Sequence, residues 1–161
     1  MNIFYLDDEP FTAARMHCDK HCVKMILETA QLLSTAHRVL DGDEYADDVG
    51  LYKATHKNHP SAVWVRQSWA NYNWAYVLFI SLCAEYSWRY KKIHATSTLQ
   101  IDLELRPKNL PDGYFTEPPQ CMPDEYKDKC TVTAYRQYYL GEKMYMAKWK
   151  HDCSPTPEWA V

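Results

Sequence analysis

The sequence predicts an all-α fold: a compact single-domain helical bundle over residues 1–161, with three main helices and a long proline-rich loop. Three observations carry this reading. Apolar residues recur at three- and four-residue spacing over long stretches, few runs alternate in the two-residue rhythm of strands, and most of the four glycines and nine prolines fall between those stretches. A chain of 161 residues, 47% hydrophobic and 24% charged, lies in the globular range and buries roughly two thirds of its unfolded surface, so no staple is needed to hold a core.

The first helix starts at Asp8-Glu9-Pro10, a capping side chain, an early acid and a proline whose missing N–H costs nothing in a first turn. It is expected to run to about Leu40, with Val23, Ile26, Ala30, Leu33, His37 and Leu40 on its apolar stripe and Asp41-Gly42-Asp43 as its stop. Asp41 to Gly50 then reads as an acidic loop. Lys57-Asn58-His59-Pro60 opens the second long element. From Ser61 to Tyr90 it is apolar nearly all round, as suits a central helix packed on several sides. A short helix is expected over 95–104. Five prolines between Pro107 and Pro123 preclude regular structure there. Thr131 to Trp149 forms the third main helix, and Trp159 docks an extended tail.

Charge and composition exclude several function classes. The longest apolar stretch, Ala75 to Ala84, is about half the ~20 residues a membrane-spanning helix needs, so no membrane role is expected. Six scattered cysteines and the absence of a secretory leader point to a reducing cytoplasm. The net charge of -3 argues against a surface that grips polyanions everywhere. Its distribution is uneven: residues 51–100 carry six bases, one acid and ten of the 23 aromatic residues, which places any basic, ring-rich surface largely there.

On a wheel of the first helix, His17, Lys20, His21, Lys24 and Glu28 fall within about 60° of one line, opposite the apolar stripe. This sets one carboxylate among four potential cations, an arrangement that could act on a sugar or base while neighbours hold phosphates. Asp19 falls on the apolar side and needs a partner, expected to be Arg66 or Arg89. Asn58 and His59 form a helix-entry turn able to receive a phosphate, with Arg66 close by. Tyr139, beside Arg136 and Lys143, is a candidate for stacking on a base. The pairs His17/His21 and Cys18/Cys22 have four-residue spacing, but no Cys-x-x-Cys or His-Glu-x-x-His occurs. No metal or cofactor is therefore assigned.

The run Asp19-Lys20-His21-Cys22-Val23-Lys24-Met25-Ile26-Leu27-Glu28, with Asn58-His59-Pro60 and Cys83-Ala84-Glu85-Tyr86-Ser87-Trp88-Arg89, resembles the corresponding motifs of the pyrimidine-dimer DNA glycosylase family. Similar small phage proteins share His17 to His21, Asn58 to Pro60, Met122 to Tyr126, Ala134 to Tyr139 and Pro157 to Trp159. The resemblance implies a compact all-α, phage-encoded DNA-repair enzyme that excises damaged pyrimidine bases from DNA. Glu28 would be its catalytic carboxylate, with Lys24 and His21 beside it. His17, Lys20, Asn58, His59, Arg66, Arg136, Tyr139 and Lys143 would hold the substrate. The residues alone leave two alternatives open, a hydrolase of a free nucleotide or modified nucleoside and a non-catalytic nucleotide-binding module.

Overall fold

The structure, a computed structural model, describes residues 2–161. Among these the regular elements are all helical: α1 (Pro10–Met16), α2 (Asp19–Asp41), α3 (Glu44–Val49), α4 (Pro60–Val65), α5 (Trp69–Tyr90), α6 (Gln100–Glu104) and α7 (Thr131–Glu142), with 3-10 turns at Ala95–Leu99, Asp124–Tyr126 and Glu158–Ala160. Three are long. The two longest, α2 and α5, pack along each other, and α1 lies against α5. The core between them is built from Ile26, Leu33, Tyr72, Leu78, Phe79 and Leu82, all buried.

The expected first helix is two helices. The interruption falls at His17-Cys18, where no glycine or proline stands, and tertiary partners cause it. Cys18 adopts an extended conformation and donates its N–H to the Tyr139 hydroxyl at 3.0 Å, while the Asp19 N–H goes to the Lys148 carbonyl at 2.8 Å. The freed carbonyls at the end of α1 are taken by Arg89, which donates to Arg15 O at 2.9 Å and His17 O at 2.8 Å. Arg89 also pairs with Asp19 at 3.2 Å and with Glu85 at 3.1 Å. Arg89 is thus the partner that Asp19 required, and one buried guanidinium fixes both the end of α1 and the start of α2 against α5.

The second long element is also divided. Ser68 is extended and its hydroxyl accepts the Asn71 N–H, starting α5 afresh, while the Trp69 N–H is held by the Pro111 carbonyl at 2.8 Å. The acidic stretch after α2 is not a plain loop. Arg38, whose side chain is 4% exposed, reaches Asp43 at 2.9 Å and Asp47 at 2.8 Å and folds Glu44–Val49 into α3. Gly42, at φ 81°, ends α2 where a side chain would be strained.

Residues 107–123 are irregular, as their prolines require. The third main helix stops at Glu142 rather than Trp149. Its continuation turns back toward α2, where Lys148 O and the Lys150 N–H both bind Asp19. Trp159 seals the tail against the Tyr139 ring at 5.7 Å and the Met16 sulfur at 3.4 Å. Residues Ile3 to Leu6, outside any helix, are buried beneath the helices, a role their lack of periodicity conceals.

Candidate functional site

The first three turns of α2 face a cleft of about 250 Å³ that gathers Glu28, Lys24 and His21 with His59, Lys143 and Tyr138. Asn2, Phe4, Met25 and Cys121 complete its wall. Helical spacing puts His21, Lys24 and Glu28 on one side of α2. His59 arrives as the cap of α4, and Lys143 and Tyr138 come from the end of α7. Glu28, 17% exposed, lies 3.4 Å from the Lys24 ammonium, so the carboxylate sits inside the cleft with a cation at its rim.

Neutral imidazoles flank that carboxylate. Burial under the Phe4 ring, stacked at 4.5 Å, together with His17, Lys143 and Lys24 nearby, pulls the His21 pKa down from 6.5 to about 3. At neutral pH His21 is therefore a hydrogen-bonding group and not a cation, and its Nδ1 is buried with no partner among the described residues. His59 uses Nδ1 to accept the Ser61 N–H at 3.1 Å, which leaves Nε2 as the N–H donor of the ring, and burial lowers its pKa as well. Among the described residues the site combines one carboxylate, two neutral imidazoles and two ammonium groups around a space of nucleoside size.

Of the residues expected to hold substrate, Lys143 and His59 line the cleft, and Lys20 lines a hollow of about 280 Å³ that opens from it past Lys24 and Lys143. The others lie elsewhere. His17 belongs to the turn that ends α1 and not to the α2 wheel. It is fully buried, its Nδ1 is 2.7 Å from Ala13 O, and burial lowers its pKa to about 4. It is neutral and cannot reach a phosphate. Tyr139 is also fully buried, and its hydroxyl receives Cys18 N–H, so the ring available to the cleft is Tyr138 instead. Arg136 turns inward to Leu6 O at 2.8 Å and Asp7 at 3.3 Å and lies over Trp159.

Arg66 caps the C-terminal end of α4 through its backbone N–H, has one buried guanidinium nitrogen without a partner among the described residues and does not line the cleft, and Asn58 is exposed in the preceding turn. The helix-entry turn cannot serve a phosphate as expected, since α4 has only six residues and His59 already takes its Ser61 N–H. Part of the middle third is withdrawn from the surface. Arg89 is consumed by the α1/α2 junction and Trp64, Tyr72, Trp74 and Phe79 by the core.

Sequence reasoning missed Asn2, Phe4, Met25, Cys121 and Tyr138. Asn2 spans from Cys121 O, at 2.8 Å, to the Tyr135 hydroxyl, at 2.9 Å, and so ties the start of the chain to the proline-rich loop. No periodic signal marks a contact between residues so far apart. Tyr138 was visible as a neighbour of Tyr139, and only the phase of α7 distinguishes them. Among the described residues, no group of three or more His, Cys, Asp or Glu side chains converges in a way that could hold a metal ion. All six cysteines are free thiols. Comparisons with family models, with curated proteins and with solved structures give no match to this chain.

Proposed function

We propose that the protein is an N-glycosylase that excises damaged pyrimidine bases from DNA, with Glu28 as the acting carboxylate. The observation that carries this reading is the largely buried Glu28 in a cleft of about 250 Å³, bordered by Lys24 and Lys143. Breaking an N-glycosidic bond builds positive charge on the sugar, and a carboxylate held at that point lowers its energy and can activate water. The balance is simple. A water oxygen bonds to C1′, Glu28 takes one of its protons, the C1′–N electron pair departs with the base, and the relayed proton neutralises that base. His21 and His59, both neutral, supply hydrogen bonds to the extruded base. Lys24, Lys143 and Lys20 hold the phosphates beside it.

A second reading is favoured by the size of the two adjoining spaces, about 250 and 280 Å³, which together suit one base, one sugar and one phosphate. On that reading the substrate is a free nucleotide. The test is incubation with irradiated DNA and with a nucleotide panel, followed by chromatography for free base. The protein should release base from DNA. Glu28→Gln should lower that release by about 10²- to 10⁴-fold with an unchanged circular dichroism spectrum. Release from nucleotides alone selects the second reading, and full activity in Glu28→Gln removes both.

A further inference from the structure

The reaction described above uses the cleft and leaves most of an adjoining surface without a role. The 280 Å³ hollow shares His21, Lys24 and Lys143 with the cleft, and it shares Lys20, Tyr145 and Met146 with a further hollow of about 590 Å³ that reaches Lys148, Lys150 and His151. Through these shared residues the three adjoin one another, and together we call them a trough. Among the described residues five ammonium groups stand along it, those of Lys24, Lys143, Lys20, Lys148 and Lys150. Among the described residues only Lys24 is paired with a carboxylate. Outside the cleft the trough has one acidic side chain, Asp19. Its oxygens are engaged by Arg89 at 3.2 Å and by the Lys150 N–H at 3.0 Å, with His151 at 3.9 Å, so its charge is already answered from inside. At the centre Tyr145 is 87% exposed.

We propose that this trough binds a single-stranded stretch of nucleic acid, its phosphates on the lysines and one base stacked on Tyr145, leading into the cleft at Glu28. A file of ammonium groups beside an exposed ring is the pairing that sequence-tolerant strand binding needs, since every phosphate carries charge and every base has a π-face. Duplex DNA keeps its bases stacked on one another and offers Tyr145 no face. Hollows of about 280 and 590 Å³ are of the size of one or two nucleotides. The net charge of -3 is compatible with this, because a short strand is held by one local row of cations and needs no uniformly basic surface. The direction of the strand toward Glu28 rests on the glycosylase reading, whereas the binding itself does not.

The experiment is fluorescence anisotropy on the full chain with a short labelled oligonucleotide, its duplex, and a poly-glutamate competitor. The single strand should bind more tightly than the duplex. Tyr145→Ala, which removes an exposed ring, should weaken it about tenfold. Lys148→Ala combined with Lys150→Ala should reduce the slope of log K against log salt by about 1.4. Equal or tighter duplex binding, competition by poly-glutamate as effective as by unlabelled strand, or a Tyr145→Ala variant with unchanged affinity would each overturn the proposal. Glu28→Gln should keep strand affinity. Strand binding without any base release leaves the trough standing and removes the glycosylase, and base release without strand binding does the reverse.

Discussion

The two ends of α2 carry opposite charge and use it in opposite ways. At the C-terminal end a hollow of about 830 Å³ is rimmed by Asp41, Asp47, Arg106 and Lys108. Glu44 and Asp48 also line it, and three of its six charged side chains are spent on the fold. Asp41 accepts the backbone N–H groups of Lys108 and Asn109, Asp47 holds Arg38 and Lys53, and Arg106 reaches Asp112 and lies over Trp69. At the N-terminal end the spaces are smaller, yet Lys20, Lys143, Lys148 and Lys150 have no carboxylate partner among the described residues. The difference teaches that the size of a hollow is a poor guide to function. What matters is whether the charged groups around it are already committed to one another.

The buried arginine at each end offers the sharpest way to break this contrast. Arg89 is fully enclosed between Glu85 and Asp19, so Arg89→Ala leaves a buried carboxylate and two uncapped carbonyls. The loss should be about 3–5 kcal/mol in urea unfolding. Arg38→Ala releases two carboxylates that are 69% and 53% exposed and can rehydrate, so it should cost about 2 kcal/mol. Equal losses would mean that the two ends are braced alike.

Acid should act on the N-terminal end next. His17 and His21 have folded pKa values of about 4 and about 3 against an ordinary 6.5. The unfolded chain therefore binds more protons below pH 6.5. The stability they contribute is whole above that pH and is lost as pH falls toward 4 for His17 and toward 3 for His21, at up to about 1.4 kcal/mol per pH unit for each group. Urea midpoints measured from pH 7 to 4 should fall steadily, and His21→Gln should flatten the slope. An unchanged slope would place His21 in water. The smallest effect belongs to the exposed pair at the other end. Lys53→Ala, which loses a contact between groups 82% and 53% exposed, should change stability by less than about 0.5 kcal/mol.

Much of the fold was legible because its signals are local. Gly42 ends α2, Pro60 opens α4, and the five prolines of residues 107–123 keep that segment irregular. The breaks at His17-Cys18 and at Arg66-Ser68 were not legible, since Tyr139, Lys148, Arg89 and Pro111 impose them from distant parts of the chain. The same distinction governs the site. His21, Lys24 and Glu28 share a face of one uninterrupted helix and could be read from spacing. His17 was misplaced because the wheel was carried across a break, and Tyr139 because the burial of one face of α7 depends on a tail that no periodicity announces. Asp19 shows what sequence can do without geometry: its position among apolar residues demanded a partner, and Arg89 was one of two candidates.

The break before Asp19 also separates the phase of two helices. Because α2 starts anew from a fixed anchor on Arg89 and the Lys148 carbonyl, the direction in which Glu28 points does not depend on how many residues α1 contains. A residue added within α1 would be absorbed at the junction and leave the carboxylate aimed as before. One added between Asp19 and Glu28 would swing it about 100° around the axis and out of the cleft. Inheritable variation in length is thus tolerable on one side of that junction and ruinous on the other.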